Sequence, residues 1–260
     1  MIELRHVRKS YDDGASYAVA DTTLSVARGE LLGLIGESGC GKTTTLKMIN
    51  RLEEPSSGEV LVGGENVLQQ DPEQLRRNIG YVFQGIGLFP HYSVAENVSA
   101  VPRLLQWPEA RVLERCREIL ELVGLPFDEY AGRSPNELSG GQQQRVGVAR
   151  ALAAEPDVLL MDEPFGALDP VTRAELQEEF KSIQQRLELT VIMVTHDMTE
   201  ALLMADRIVV MKRGEILQVG TPAQLLNAPT HDYVRDIVAM PRKRAARLER
   251  LMKGTSPDQA

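Results

Sequence analysis

Cysteine, aromatic residues and long apolar runs are scarce in this chain of 260 residues. The two cysteines, Cys40 and Cys116, are too few for a disulfide framework, and the first ten residues lack the apolar core of a signal peptide. We therefore expect a protein of a reducing compartment. No window holds about 18 consecutive apolar residues, so we also expect no membrane-spanning helix.

The charge balance argues against one broad class of partner. The formal net charge is −8, whereas a domain that binds nucleic acid over a large surface is usually basic. Residues 242–260 differ from the rest, with six basic and only two acidic side chains. A charge run of this kind is typical of a solvated helix face, and we keep the hypothesis that this basic tail contacts a membrane surface or a partner.

The pattern of apolar residues predicts an α/β fold with a helical insertion. The length favours one large domain, or a core with an inserted subdomain. Apolar runs at residues 31–35, 158–161, 191–194 and 208–211 alternate with helical patterns, which favours a parallel sheet. Between residues 109 and 123 the apolar residues recur at helical spacing, which predicts an amphipathic helix. Its apolar set is Val112, Leu113, Cys116, Ile119, Leu120 and Val123.

A glycine-rich loop, residues 36–43, fits the pattern GxxxxGK[ST] between a predicted strand and a predicted helix. The loop amides and the helix N-terminus would bind phosphate oxygens, with Lys42 reaching the β- and γ-phosphates and Thr43 ligating Mg²⁺. The helix should continue through Leu52, because Glu53, Glu54 and Pro55 end it. The predicted nucleotide-binding residues here are Gly36, Glu37, Ser38, Gly39, Cys40, Gly41, Lys42, Thr43 and Thr44.

Two further segments contain residues suited to binding a metal ion or an anion. Asp162 and Glu163 end the apolar run at residues 158–161, where a metal-holding acid is expected beside a phosphate loop. Ser139, Gly140 and Gly141 open a predicted helix at Gln142 and would form a second anion-binding N-terminus. A nucleotide held by Lys42 does not need a second such site in the same chain, so the two sites suggest two chains.

From about residue 2 to residue 235 the chain resembles the ATP-binding cassette (ABC) family. The glycine-rich loop matches Walker A, Asp162 and Glu163 match Walker B, and residues 138–142 match the signature. The resemblance implies a P-loop NTPase (RecA-like) core with an N-terminal antiparallel β subdomain and an inserted α-helical subdomain. The implied organisation is a nucleotide-binding domain at residues 1–235, with the insert at about 85–138, and a short basic tail at 236–260.

The resemblance also implies roles for single residues. Gln84 matches the Q-loop glutamine, Asp169 the D-loop aspartate and His196 the switch histidine. Tyr11 matches the aromatic that stacks on adenine, with Tyr17 as the alternative in the same loop region. The implied assembly is a head-to-tail homodimer in which ATP lies between one chain's glycine-rich loop and the other's signature.

In that implied mechanism the catalytic residues are Glu163, which polarises the attacking water, His196, which fixes the γ-phosphate, and Gln84. Mg²⁺ is held by Thr43, Gln84 and Asp162. The partner chain contributes Ser139, Gly140, Gly141, Gln142 and Asp169 to each ATP site.

Several segments, among them residues 45–60 and 84–98, closely resemble ATP-binding subunits of osmoprotectant importers for glycine betaine or choline. This resemblance implies a peripheral subunit at the cytoplasmic face of the cell membrane, with membrane permease partners, a solute-binding protein as an indirect partner, and no nucleic acid. Uptake of another small polar solute, such as an amino acid, stays open as an alternative. A cassette acting on DNA or ribosomes also stays open, although no long coiled coil or zinc module interrupts the chain.

The segment at residues 85–92 has two readings. It forms either the surface that receives a coupling helix of the permease or the core of the helical insert, since Leu88 and Phe89 suit both. Many osmoprotectant ATPases carry regulatory domains after about residue 235, where we expect only the basic tail, so ionic-strength sensing through such domains is not expected.

Overall fold

The computed structural model describes residues 1–85 and 87–252 of the chain. The strands are β1 (Ile2–Lys9), β2 (Val19–Val26), β3 (Leu31–Gly36), β4 (Ser57–Val62), β5 (Glu65–Asn66), β6 (Ile79–Val82), β7 (Val158–Asp162), β8 (Thr190–Thr195), β9 (Arg207–Lys212) and β10 (Glu215–Gly220). The α-helices are α1 (Lys42–Ile49), α2 (Pro72–Arg77), α3 (Val94–Leu104), α4 (Glu109–Leu122), α5 (Phe127–Tyr130), α6 (Gly140–Leu152), α7 (Pro170–Arg186), α8 (Met198–Met204), α9 (Pro222–Asn227) and α10 (Asp232–Met252).

The strands form two sheets. The smaller sheet has the order β2-β1-β4-β5 and is antiparallel. The larger has the order β10-β9-β3-β8-β7-β6, with parallel pairing throughout except between β10 and β9. The predicted α/β core and N-terminal antiparallel sheet are therefore confirmed.

The two faces of the larger sheet belong to different hydrophobic cores. In β3, Leu31 and Ile35 face the core shared with the helical layer, whereas Leu32 and Leu34 face the core shared with α1 and the antiparallel sheet. Successive side chains of a strand point to opposite faces of the sheet, so a continuous apolar run supplies apolar side chains to the cores on both faces. This double burial explains why the central strands read as unbroken apolar segments.

The carboxyl ends of four parallel strands lie along one edge of this sheet. Ile35 of β3 pairs with Thr195 of β8, Asp162 of β7 pairs with Val194, and Val82 of β6 pairs with Met161. Ligands of open parallel sheets bind beyond this edge. The loops that follow β3, β6, β7 and β8 therefore meet at one place.

The helical layer confirms the predicted amphipathic helix and corrects one of its residues. In α4, Val112, Cys116, Ile119 and Leu120 are buried, whereas Leu113 is 55% exposed. Leu120, two turns after Leu113 on the same side of the helix, is buried, so the neighbours of each turn and not the helical spacing decide the exposure of Leu113. Between β6 and β7, α6 also packs against α3 and β6, and so continues this layer beyond the predicted insert at 85–138.

The helix after the glycine-rich loop is shorter than predicted. Helix α1 ends at Ile49, and Leu52 lies in the following turn with its side chain exposed. Asn50 sits at the C-cap and its side chain accepts a hydrogen bond from the Leu52 amide. Local capping by Asn50 thus ends the helix before the Glu-Glu-Pro sequence that the prediction relied on.

The last helix crosses the predicted start of the basic tail. Helix α10 runs from Asp232 to Met252, so residue 235 lies inside it, and the boundary stays a prediction. Val234 and Val238 anchor its first turns in the core. The tail's final part, residues 253–260, lies outside the described residues. Within the described part of the chain, no helix combines the length and apolarity needed to cross a membrane.

Candidate active site

The glycine-rich loop is shaped by close backbone contacts that only glycine permits. A Cβ on Gly36 would lie 2.2 Å from the carbonyl oxygen of Met211, and one on Gly41 would lie 2.3 Å from that of Ala18. Gly41 also has a φ of 102° and supplies no side-chain cap to α1. The first amides of α1 are thus left without a side-chain acceptor, which suits an anion.

Lys42 is folded over this loop. Its buried ammonium donates to the carbonyl oxygens of Gly36 at 2.8 Å and Glu37 at 2.9 Å, and lies 3.8 Å from the Cys40 sulfur. The loop backbone therefore already holds a positive charge at the helix N-terminus. Burial raises the pKa of the Cys40 thiol, so this cysteine is a small packing residue and not a nucleophile.

Thr43 and Asp162 join the glycine-rich loop to the end of β7. The Thr43 hydroxyl donates to Oδ1 of Asp162 at 3.0 Å. Burial raises the pKa of Asp162, the Thr43 hydrogen bond partly offsets this effect, and the neighbouring Glu163 carboxylate adds to it. A cation at this point would favour the ionised form of Asp162.

The donor set fits Mg²⁺, which takes hard oxygen ligands and usually binds through one or two protein groups plus phosphates. The hydroxyl of Thr43 and the carboxylate of Asp162 are such ligands. Across residues 1–85 and 87–252 there is no cluster of three or more His, Cys, Asp or Glu side chains suited to a metal. A metal at Thr43 and Asp162 would therefore need ligands from outside the protein, such as phosphate oxygens and water.

Glu163 lies at the centre of a second cluster. Its Oε2 is 3.1 Å from Nε2 of Gln84, which donates, and 3.2 Å from Nδ1 of His196. Its φ is 47° and its amide donates to the carbonyl oxygen of Val194. This left-handed turn sends the Glu163 side chain away from the Asp162–Thr43 pair, so the two adjacent carboxylates serve different partners.

Gln84 was predicted both as a catalytic residue and as a metal ligand. The structure places its amide on Glu163, and among the described contacts it has no hydrogen bond to Thr43 or Asp162. Both tyrosines proposed for adenine are exposed: Tyr11 has Lys9 against its ring at 4.8 Å, and Tyr17 adjoins Ala18, which contacts Gly41. The choice between them stays open.

Comparisons with known proteins identify the family. A profile described as ABC transporter matches residues 19–166, which is more than half of the chain. The chain belongs to the ABC transporter family. It is 55% identical over 258 residues to the choline transport ATP-binding protein OpuBA of Bacillus subtilis (strain 168), covering 99% of this chain and 65% of that protein. It is also 57% identical over 242 residues to the glycine betaine/carnitine/choline transport ATP-binding protein OpuCA of the same organism, covering 93% of this chain and 63% of that protein.

A solved structure supports the same fold. The dimeric structure of MJ0796, a bacterial ABC transporter cassette, matches with a TM-score of 0.75 and 36% identity, covering 85% of this chain and 99% of that one. The predicted ABC ATPase architecture is therefore confirmed. The chain spans less than two thirds of the length of OpuBA and of OpuCA.

The segment predicted to be the ABC signature, residues 138–142, stands at the start of α6. Ser139 accepts from the Gln142 amide, and the Gln142 side chain accepts from the Ser139 amide, which forms a capping box. Gly141 lets α6 approach α7, because a Cβ there would lie 2.5 Å from Cγ2 of Thr172. Ser139 and Gly140 are exposed. No hydrogen bond within the described residues links this segment to the glycine-rich loop.

Asp169 starts α7 and faces solvent. Its carboxylate accepts from the amides of Val171 and Thr172. The hydrogen bond from the Thr172 side chain, followed by those of the two amides, holds the pKa of Asp169 below its usual range. The structure thus brings the glycine-rich loop, Gln84, Asp162, Glu163 and His196 together. It leaves residues 138–142 and Asp169 outside these hydrogen bonds, and their action on another chain stays a prediction.

Three residues near the site escaped the sequence reasoning. Tyr233 of α10 lies beside Glu37. Burial, and then the Glu37 carboxylate, raise the pKa of the Tyr233 hydroxyl. Arg173 and Glu200 border the segments that carry Glu163 and His196. Of the three only Glu200 is buried, and a charged residue at an internal helix position gives no sequence signal of burial.

An apolar groove of about 550 Å³ lies between the sheet edge and the helical layer, and its lining includes Phe83, the residue before Gln84. Phe83, Phe89 and Leu104 line it with exposed apolar surface. Arg150 borders it, and donates to the carbonyl oxygen of Gly87 at 2.8 Å. Leu88 and Phe89 were both suited either to the permease-binding surface or to the core of the helical insert. In the structure Leu88 packs on the helical core and Phe89 lines the groove.

Proposed function

We propose that this chain is the ATP-hydrolysing motor subunit of an ABC importer for a small osmoprotectant such as glycine betaine or choline. The observation that carries the proposal is the Glu163 carboxylate, held by Gln84 and His196 beside the glycine-rich loop. The names of OpuBA and OpuCA support the class of solute.

ATP would bind with its phosphates on the glycine-rich loop. The Lys42 ammonium and the first amides of α1 supply positive charge and hydrogen-bond donors for the β- and γ-phosphates. Thr44, in the first turn of α1, is suited to the α-phosphate. The adenine would stack on Tyr11 or on Tyr17, both of which are exposed aromatic rings.

Hydrolysis would use the cluster around Glu163. The carboxylate accepts a proton from the attacking water while the bond between the γ-phosphorus and the ADP oxygen breaks, giving ADP and phosphate. Gln84 and His196 hold the Glu163 side chain by its Oε2 atom. Mg²⁺, with Thr43, Asp162 and Gln84 as the proposed ligands, would supply charge stabilisation of the transferring phosphoryl group.

The working assembly would be a head-to-tail homodimer. Ser139 and Gly140 are exposed at the N-terminus of α6 and, with Gly141 and Gln142, would offer an anion site that the chain's own loop leaves unused. The dimeric structure of the MJ0796 cassette supports a dimer of this chain. Asp169 would enter the neighbouring ATP site from the same side.

Coupling to transport requires a membrane partner. The groove is lined by Phe83, Phe89 and Leu104, so a permease helix seated there would contact Phe83, the residue directly before Gln84, whose amide binds Glu163. In this proposal the chain is a peripheral subunit on the cytoplasmic face of the membrane. A solute-binding protein would act on the permease and contact this chain only indirectly.

The test is reconstitution in two steps. The purified chain should hydrolyse ATP only with Mg²⁺ present, and addition of the permease in liposomes should make the rate respond to solute. We expect glycine betaine or choline to stimulate hydrolysis, while polar amino acids and nucleic acid should not. If an amino acid stimulates ATP hydrolysis instead, the transported solute is an amino acid and not an osmoprotectant. Stimulation of ATP hydrolysis by nucleic acid or ribosomes would overturn the transport role.

A further inference from the structure

The guanidinium of Arg173 binds the chain segment that follows Glu163. Its Nε donates to the carbonyl oxygen of Phe165 at 3.1 Å, and its Nη2 donates to those of Leu168 at 2.9 Å and Gly166 at 3.4 Å. These three carbonyls lie between Glu163 and Asp169. One side chain therefore holds most of the backbone that connects the two.

The other end of the same guanidinium faces the turn that carries His196. Nη1 of Arg173 lies 3.9 Å from Oδ2 of Asp197. Asp197 caps α8 through the Thr199 amide, and its own amide donates to the Thr195 hydroxyl at 3.0 Å. Arg173 thus touches the residue directly after the switch histidine.

A buried glutamate fixes the other side of this turn. The Thr195 hydroxyl donates to Glu200, and Nε2 of Gln177 donates to Oε1 of Glu200 at 3.0 Å. Gln177 lies one turn after Arg173 on α7. Two residues on one face of α7 therefore hold both the segment after Glu163 and the turn around His196.

We propose that Arg173 is a positioning residue that fixes the segment from Glu163 to Asp169 relative to the His196 turn, with Glu200 and Gln177 holding the far side of that turn. The planar fork of arginine can bind several carbonyls and a carboxylate at once, which a lysine ammonium cannot do in this geometry. This inference rests on the proposed ATPase function. In the head-to-tail dimer, Asp169 would belong to one ATP site and His196 to the other, so Arg173 would link the two sites.

The test compares Arg173→Ala and Arg173→Lys with Arg186→Ala, a control on the exposed face of the same helix. We expect Arg173→Ala to lower kcat about 10- to 100-fold, the cost of a small misplacement of reacting groups, with the KM for ATP changed less than about threefold. Arg173→Lys should recover only part of the loss. The control should keep the kcat and KM of the unchanged chain.

A double-mutant cycle separates positioning from general destabilisation. Asp197→Asn keeps an N-cap for α8 but removes the charge that faces Arg173. It should lower kcat less than Arg173→Ala does, and Arg173→Ala should cost less in the Asp197→Asn background than in the unchanged chain. If circular dichroism shows that Arg173→Ala does not fold, the kcat values of Arg173→Lys and Asp197→Asn are compared with that of the unchanged chain instead.

Two outcomes would overturn the inference: kcat of Arg173→Ala within twofold of the unchanged chain, or independent effects of Arg173 and Asp197. If Arg173→Ala does not fold, unchanged kcat in both Arg173→Lys and Asp197→Asn would also overturn it. Failure of the proposed function has a different signature, because the unchanged chain would then show no Mg²⁺-dependent ATP hydrolysis at all.

Discussion

Nδ1 of His196 lies 3.2 Å from Oε2 of Glu163, so the residue that follows β8 meets the residue that follows β7. The two strands are parallel neighbours, and their carboxyl ends therefore finish side by side. The left-handed backbone of Glu163 turns its side chain toward His196. In the proposed function, this contact would hold the Glu163 carboxylate ready to activate water beside the γ-phosphate.

Glu163→Gln should bind ATP and lose turnover. The amide keeps the size of the side chain but cannot accept a proton from water, so we expect kcat to fall at least about 100-fold. ATP-dependent dimerisation, measured by size-exclusion chromatography, should persist. Glu188→Gln is a matched control, because Glu188 is exposed and also has a positive φ of 51°. Turnover near that of the unchanged chain would refute the role of Glu163.

Gly41→Ala should damage the glycine-rich loop. The new Cβ would lie 2.3 Å from the Ala18 carbonyl oxygen, at a φ of 102° that alanine adopts only with strain of about 1 to 3 kcal/mol. We expect the KM for ATP to rise at least about tenfold. Gly132→Ala, which has no atom within 4 Å of the new Cβ, should leave KM and stability unchanged. Equal behaviour of both variants would contradict the predicted role of the close approach.

Tyr11→Ala and Tyr17→Ala should separate the two candidates for adenine stacking. Loss of a base-stacking ring costs about 1 to 3 kcal/mol, so the KM for ATP should rise about tenfold in only one of them. Binding of a triphosphate without a base should be unaffected in both. A rise in neither variant would mean that the adenine contacts another surface.

Leu104→Glu should weaken assembly with the permease. Leu104 is 62% exposed in the groove that Phe83 and Phe89 also line, so a charge there would have to be desolvated when an apolar helix docks. The isolated chain should keep its ATPase activity, while co-purification with the permease should fail. Leu113→Glu is the control, since Leu113 is similarly exposed on α4 but outside the groove. If Leu104→Glu co-purifies with the permease as well as Leu113→Glu does, the groove is not the permease-binding surface.

Glu200→Gln should change how stability depends on pH. Burial is the main reason that the pKa of Glu200 is raised above its ordinary value of 4.5; Asp197 adds to the shift, while Thr195, Gln177 and Arg173 oppose it. The folded chain therefore keeps a proton that the unfolded chain has lost, and its stability falls as pH rises from about 4.5 to the raised pKa. Glutamine does not titrate and escapes this fall.

Urea unfolding at pH steps from about 4.5 to 8 checks this expectation. The difference in unfolding free energy, Glu200→Gln minus unchanged chain, should increase with pH through that window and then become constant. Glu188→Gln should give a difference that does not change with pH. A constant difference for Glu200→Gln as well would show that Glu200 titrates alike in both states.

The sequence by itself determined the parts of the site that are contiguous in the chain. The glycine-rich loop needs glycine where the backbone passes within van der Waals distance of Ala18 and Met211, and a helix start directly afterwards, so its pattern is local. The same holds for the capped starts of α6 and α7, where Ser139 and Asp169 bind amides two or three residues away.

Only the tertiary structure decided which of these parts touch. The Glu163 contacts with Gln84 and His196 join residues that are far apart in the chain, and they depend on the register of parallel strands. The early end of α1, the exposure of Leu113 and the burial of Glu200 depend on neighbours that periodicity does not reveal. Local hydrogen bonds depend on residues that are close in the sequence, whereas burial and long-range contacts depend on how the sheet and helices pack.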